Sequence, residues 1–363
     1  MPLTMGEPVA TPSLLRGAPL RIFTGNAHPA LASRVASELG VEVSPANVSQ
    51  FKNGEINVIV LDSVRDCDVF LINPTCRRGG DAKSMSPNDY LIELMLLCDS
   101  CRRAGAARVT VILPHYGYAR QDQMNHTRCS VASRLVTDML QTAGCDRIVT
   151  VTLHAPQIQG FATVPFENLA GLPILASYVE RNLLTHLAGG SSEIVVVSPD
   201  AGGAKRAQSL AKHLNSSFAL FAKTRERANE VASMTLVGDV RGKVCVLVDD
   251  MVDTGGTLTL AAKMLADHGA KDIIACCVHG VLSHPALDRI MACDALRELV
   301  VLDTIPLDNV VCPKLKVLSV ATLLAEAVRR IHNGGSISDL YRMDEVASSR
   351  AVHRATALGQ SRL

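Results

Sequence analysis

The sequence predicts an α/β protein with two domains, each a mainly parallel sheet flanked by helices, and three observations lead there. The chain has 363 residues, which exceeds one ordinary domain and suits two of roughly 150 residues. Apolar runs of strand length alternate with longer amphipathic stretches, the pattern of βα units around a parallel sheet. After a turn-rich stretch at 168–173 the same pattern starts again, sharing architecture more than letters with the first half, so each half is expected to bury its own core.

In the first half, strands are expected over 20–24, 68–72, 108–113 and 147–153. Residues 29–39, 89–104 and 130–143 carry apolar side chains at helical spacing, and Gly105 and Gly144 stand where helix C-caps belong. The second half predicts a helix over 174–187, a strand over 194–197, a helix over 203–214 and a strand over 218–221. Strands over 244–248, 273–278 and 299–302 follow, with helices over 258–268 and 320–331. This divides the chain into an N-terminal tail (1–17), a first domain (18–169) rejoined by 333–343, a second domain (170–332) and a flexible tail (344–363). Two segments stand apart: a Gly, Ser, Lys and Arg-rich loop at 76–88, and a charged stretch at 223–233 with neither helical nor strand patterning.

Composition narrows the function. With 48% hydrophobic residues and a formal charge of +1, the chain is neither disordered nor a broadly basic nucleic-acid binder, so any anion site must be local. The eleven cysteines lack zinc-ribbon spacing, and Cys98, Cys101, Cys276 and Cys277 fall in apolar periodic segments, so they are read as reduced and mostly buried. Residues 1–16 lack the apolar run of a signal peptide, and no run reaches the length of a membrane span; an intracellular, soluble protein without a membrane partner is expected. The final Ser361, Arg362 and Leu363 differ from the microbody address S-K-L by one basic-for-basic change, which favours a peroxisome-like microbody, with the cytoplasm as alternative.

The strongest local signal is V-C-V-L-V-D-D-M-V-D-T-G-G-T at 244–257, where a buried strand ends in two carboxylates and a Thr-Gly-Gly-Thr turn opens a helix. Ligands of open α/β sheets bind beyond the carboxyl ends of strands, and a helix N-terminus offers unpaired amides to a phosphate. Gly255 and Gly256 let the backbone approach an anion, Thr254 and Thr257 add hydroxyls, and Asp249 and Asp250 suit sugar hydroxyls or a hydrated cation. Together they describe a ribose phosphate. A plain helix cap at Asp253 or Thr254 needs far less than two acids, two glycines and two threonines. It is no Walker loop, because the G-K-[ST] ending is missing.

A second such turn, S-P-D-A-G-G-A-K-R at 198–206, puts Asp200 at a strand end and Lys205 and Arg206 in a helix's first turns, where cations oppose the dipole. That favours a phosphate or metal contact. Past the strands of the first half, Arg120 can lie on an adenine face or pair with phosphate, and neutral His154 can ligate a divalent ion. A lone histidine after a strand is more often structural, and His28 and His115 are read that way.

Read together, F-K-N-G-E (51–55), Y-A-R-Q-D (118–122), L-H-A-P-Q-I-Q-G-F (153–161), S-P-D-A-G-G-A-K-R (198–206), K-T-R (223–225) and V-D-D-M-V-D-T-G-G-T (248–257) resemble the ribose-phosphate pyrophosphokinases, in that family's order and spacing over about 20–341. The phosphate-activated class is the nearest. The resemblance implies two type I phosphoribosyltransferase-like domains with the active site between them, and transfer of pyrophosphate from Mg-ATP to ribose 5-phosphate. It implies that Asp253, Thr254, Gly255, Gly256 and Thr257 surround the 5-phosphate, with Asp249 and Asp250 near the ribose hydroxyls. Arg120, Gln121 and Asp122 match the ATP side, while Phe51, Asn53 and Glu55 match an adenine-binding hairpin lent by a neighbouring subunit. His154 and Asp200 match contacts to Mg2+, His154 doubling as a catalytic residue, and Lys223 and Arg225 match the catalytic lid. A homo-oligomer follows, a dimer at least and usually a hexamer.

Ser63, Arg65, Arg128, Gln159, Asn168, Ser336 and Ser338 suit a regulatory pocket at subunit contacts for inorganic phosphate, the expected activator, or for the β-phosphate of ADP. Three departures stand out: Asn125 where many relatives carry Asp, Pro156 where many carry Ser, and a 76–88 loop longer than usual. An ordinary phosphoribosyltransferase shares the Asp-Asp loop but needs neither a second full domain nor His154 and Lys223. A catalytically silent paralogue would keep the fold, and the intact Lys223, Arg225, His154 and Asp200 argue against it.

Overall fold

The computed structural model describes residues 17–81, 83–224 and 233–340, with 223, 224 and 233 described by backbone alone. Along the chain come β1 (Leu20–Thr24), α1 (Pro29–Leu39), β2 (Ala46–Gln50), β3 (Ile56–Val60), β4 (Asp68–Ile72), α2 (Pro87–Arg103), β5 (Arg108–Leu113), α3 (Ala132–Thr142), β6 (Arg147–Val151) and β7 (Phe166–Leu169). The second half continues with α4 (Leu172–Asn182), β8 (Ile194–Ser198), α5 (Ala204–Leu214), β9 (Ser217–Thr224), β10 (Ser233–Val237), β11 (Val244–Val252), α6 (Gly256–Asp267), β12 (Asp272–Gly280), α7 (Ala286–Met291), β13 (Glu298–Leu302), β14 (Leu315–Leu318) and α8 (Ala321–Asn333).

Five strands pair in parallel in the order β1-β4-β5-β6-β7, and seven pair in the order β10-β9-β8-β11-β12-β13-β14, where only β9 and β10 are antiparallel. The central strands are apolar because both faces of the sheets are covered there: in β4, Phe70 and Ile72 pack to one side and Val69 and Leu71 to the other. The hairpin β2–β3 lies outside both sheets and packs Val48, Val58 and Val60 on the first sheet's outer cluster.

The expectation of one core per half is corrected. Besides an outer cluster on each sheet, a central cluster joins Ile22, Phe70 and Ile112 of the first sheet to Val196, Val246 and Val300 of the second, through α1, α4, α5 and α8. The inner faces are too apolar for either half to leave them to water. Ion pairs lock the same seam. Asp303, after β13, binds Arg34 of α1 at 2.7 Å and the Val320 amide at 2.6 Å. The fully buried Asp68 takes Arg108 through two bonds, of 2.8 and 2.6 Å, and His332 of α8 at 2.8 Å.

Other expectations need smaller corrections. The aspartates of β11 lie within the strand, because pairing with β12 runs on through Asp249, Met251 and Val252. The stretch 223–233 is strand at both ends, with Thr224 opposite Ser233. The turn-rich segment hides β7 and the start of α4, and the helix expected to 187 ends at Asn182 with a 3-10 turn at Leu184–His186. All cysteines except Cys129 and Cys312 are buried, and none forms a disulfide. No described helix is long and apolar enough to cross a membrane. The tails, including Ser361, Arg362 and Leu363, lie outside the described residues.

Leu324 is fully buried in the shared cluster. Leu324→Ala is expected to cost about 3 kcal/mol in chemical denaturation. Because the cluster belongs to both sheets, circular dichroism and tyrosine fluorescence should still report one coincident transition.

Candidate active site

At the tip of β11 the chain turns through Thr254 into α6, whose N-cap is Gly255 at φ 72°, with no side-chain cap on the helix's first amides. An L residue resists this left-handed conformation, and glycine takes it without strain. Uncapped amides at a helix N-terminus are free for an anion. Helix α5 also opens on a glycine N-cap without a side-chain cap bond, Gly203, here in right-handed geometry, and the Gly203 amide donates to Asp200 Oδ1 at 3.1 Å.

Both openings face one cavity of about 470 Å³, which Arg120, His154, Asp200, Asp249, Asp250, Asp253, Thr254, Gly255, Gly256 and Thr257 help to line. The Asp-Asp pair is held from two sides. His154 Nδ1 stands 2.6 Å from Asp250 Oδ2, and Arg206 reaches Asp249 Oδ1 at 3.0 Å and Asp250 Oδ1 at 3.3 Å. Burial pushes both carboxyls up, and Asp249, beside the charge of Asp250, stays raised. In Asp250 the His154 hydrogen bond and the Arg206 charge outweigh burial and hold the group below the usual carboxylate range. The same bond raises His154.

Asp253 and Arg120, paired at 2.9 Å, line this cavity and also a second one of about 510 Å³. The second cavity runs between the 76–88 loop and residues 115–121 and includes Gln121. Asp122 lies beside it, accepting from Gln157 at 2.6 Å.

Oxygen-rich walls with one imidazole suit a hydrated divalent cation. Among the described residues no group of three or more His, Cys, Asp or Glu forms a complete cage. Mg2+ usually takes one or two carboxylates and completes its shell with water and phosphate oxygens, so the donor set fits. With His154 Nδ1 tied to Asp250, its Nε2 is the remaining ligand atom.

Some expected residues lie elsewhere. Phe51, Asn53 and Glu55 form the exposed tip of the β2–β3 hairpin, Phe51 being 56% exposed. Ser63 and Arg65 follow β3, Arg128 stands exposed before α3, and Gln159 lies in the 3-10 turn Pro156–Phe161. Asn168, in β7, accepts from the Leu153 amide at 2.8 Å, and Ser336 bonds Ser338 at 3.2 Å. Lys223 pairs through its backbone with Met234, and Arg225 lies outside the described residues. His28 contacts the Asp303 carbonyl at 3.0 Å, and the His115 ring packs edge-on against His279 while also lining the second cavity. Sequence reasoning missed the bridge made by Arg206; its only trace was a cation in the first turns of a helix, where the dipole disfavours one. It also missed Arg289, which donates to the Thr254 carbonyl at 3.0 Å.

Comparison with known proteins bears on this geometry. A family profile described as the N-terminal domain of ribose phosphate pyrophosphokinase matches residues 20–144, and one described as the phosphoribosyl synthetase-associated domain matches 223–342. Ribose-phosphate pyrophosphokinase 2 of Schizosaccharomyces pombe is 46% identical over 89% of this chain and 97% of its own. Ribose-phosphate pyrophosphokinase A of Dictyostelium discoideum is 43% identical over 90% and 98%. The crystal structure of phosphoribosylpyrophosphate synthetase from Mycobacterium smegmatis superposes with a TM-score of 0.79 at 41% identity, over 87% of this chain and 100% of that one. The two sheets thus carry the expected type I phosphoribosyltransferase-like fold.

The Arg206 bridge is testable as structure. Arg206→Gln leaves two largely buried carboxylates without their cation, and a loss of about 3 kcal/mol is expected in equilibrium denaturation. Unchanged stability would mean that the bridge contributes nothing.

Proposed function

The chain belongs to the ribose-phosphate pyrophosphokinase family, and on that premise we propose how its cavities divide the work of one reaction. It transfers the β,γ-pyrophosphoryl group of ATP to ribose 5-phosphate, yielding AMP and 5-phosphoribosyl 1-pyrophosphate for nucleotide biosynthesis. The 1-hydroxyl of the sugar attacks the β-phosphorus, and the bond to the α-phosphate's bridging oxygen breaks.

The observation that carries the division is that the β11–α6 turn, Asp200, His154 and Arg120 line one cavity, which meets a second at Arg120 and Asp253. In this reading the uncapped amides and hydroxyls of 253–257 take the 5-phosphate, and Asp249 and Asp250 take the ribose hydroxyls. Arg120, Gln121 and Asp122 take ATP, and Phe51, Asn53 and Glu55 reach the adenine of a second copy, so a homo-oligomer is the working unit. Residues 18–169 with 333–343 form the ATP side, and 170–332 the sugar side. His154 and Asp200 hold Mg2+, which when bound neutralises phosphate oxygens.

Charge on the transferred group must be held by positioned cations shielded from water, the role given to Lys223 and Arg225. Ser63, Arg65, Arg128, Gln159, Asn168, Ser336 and Ser338, drawn from more than one copy, form the activating phosphate site. The terminal tripeptide is carried as a microbody address.

AMP formed only when ATP, Mg2+ and ribose 5-phosphate are all present supports the reaction and separates it from a phosphoribosyltransferase or a silent paralogue. Lys223→Ala should cut turnover at least about a hundred-fold, roughly 3 kcal/mol, while nucleotide binding survives; normal turnover in a correctly assembled variant removes the lid role. Residues 359–363 fused to a fluorescent reporter should direct it to peroxisomes, and a diffuse signal refutes the address.

A further inference from the structure

The 76–88 loop does more than join β4 to α2. From the first sheet it reaches over to the second half, where the Gly79 amide donates to the Pro306 carbonyl at 3.1 Å. A Cβ at Gly79 would stand 2.2 Å from Leu307 Cδ2 and 3.0 Å from the Gly280 carbonyl oxygen, so any side chain there would have to displace the leucine. Arg78 then donates to the Asn26 carbonyl at 3.1 Å, and Asn26 is itself gripped by the buried Glu93 at 2.6 Å through its amide and 2.8 Å through its side chain. The loop ends in a capping box, Ser86 with Asp89, that fixes the first turn of α2.

That first turn presents Asn88, whose side-chain oxygen accepts a hydrogen bond from the Tyr118 hydroxyl. Tyr118 is a non-glycine residue at φ 63°, a conformation that needs outside support. Support comes from Asn88 and from the adjoining strand end, where the Gly117 amide donates to Thr75 Oγ1 at 2.7 Å. The turn closes with the Gln121 amide on the Tyr118 carbonyl at 2.9 Å, which sets the direction of Arg120 and Gln121. Asn88, Tyr118, Arg120 and Gln121 all line the second cavity.

We propose that the Asn88–Tyr118 contact is a clasp through which the 76–88 loop, anchored on the second half at Gly79, positions Arg120 and Gln121 for the nucleotide. Asn88 and Tyr118 are positioning residues, and the inference rests on the assignment of Arg120 and Gln121 to ATP made above. The loop thereby ties the nucleotide side of the cleft to the half that carries the sugar-phosphate turn.

The test uses the full chain with Tyr118→Phe, Asn88→Ala and the double variant. Each single variant should raise the KM for ATP about three- to ten-fold, the worth of one hydrogen bond. kcat, the KM for ribose 5-phosphate and the thermal midpoint should stay unchanged, and the double variant should be no worse than the worse single one. Calorimetric binding of a non-hydrolysable ATP analogue should weaken in parallel, a readout independent of turnover. A parent that makes no AMP yet binds the analogue in a clasp-dependent way faults the reaction and leaves the clasp standing. Singles that bind ATP as the parent does, or effects that add in the double variant, overturn the clasp. An analogue that binds no variant, parent included, overturns both.

Discussion

Asp250 is the point where the two halves of the molecule meet around a charge. One carboxylate oxygen faces His154, from the loop after the first sheet's β6, and the other faces Arg206, from the first turns of α5. The residue is 4% exposed, and a carboxylate so enclosed stays ionised only if cations or hydrogen-bond donors replace its lost water. That requirement fixes where His154 and Arg206 must stand. It also leaves His154 Nε2 for a ligand and holds Asp249 on the same cavity as the glycine turn that opens α6.

Such a contact between halves needs a seam that does not slide, and the shared cluster supplies it. Ile22, Phe70 and Ile112 meet Val196, Val246 and Val300 through α1, α4, α5 and α8, so the strand tips of the two sheets keep their spacing. Asp303 with Arg34, and Asp68 with Arg108 and His332, pin the same seam at its polar edges. The chemistry then sits on turns at the strand tips, where backbone amides are free and side chains can reach across the cleft.

Much of the fold was legible. Strands β1, β4 and β5 and helix α1 lie where the apolar periodicity set them, because a strand buried on both faces and a one-sided helix leave distinct spacings. Less legible were β7, β14 and α7, whose short spans of four to six residues average too few positions for a period to emerge. The far end of β11 was hidden because its two aspartates look like a strand end, whereas pairing with β12 carries the strand past them.

The sequence alone singled out residues that line one cavity: the turns at 198–206 and 253–257 with Asp200, Asp249 and Asp250 stood out by local order, since each turn type demands its own residues, while His154 and Arg120 were marked by the family resemblance. Only the tertiary structure decided what each of them touches. That Arg206 bridges the Asp pair, that Asp250 orients His154, and that the 76–88 loop reaches Tyr118 are contacts between segments 30 to 96 residues apart. Local spacing carries no information about such pairings. They follow from how two sheets share one apolar interior, which is settled by the packing of the whole chain.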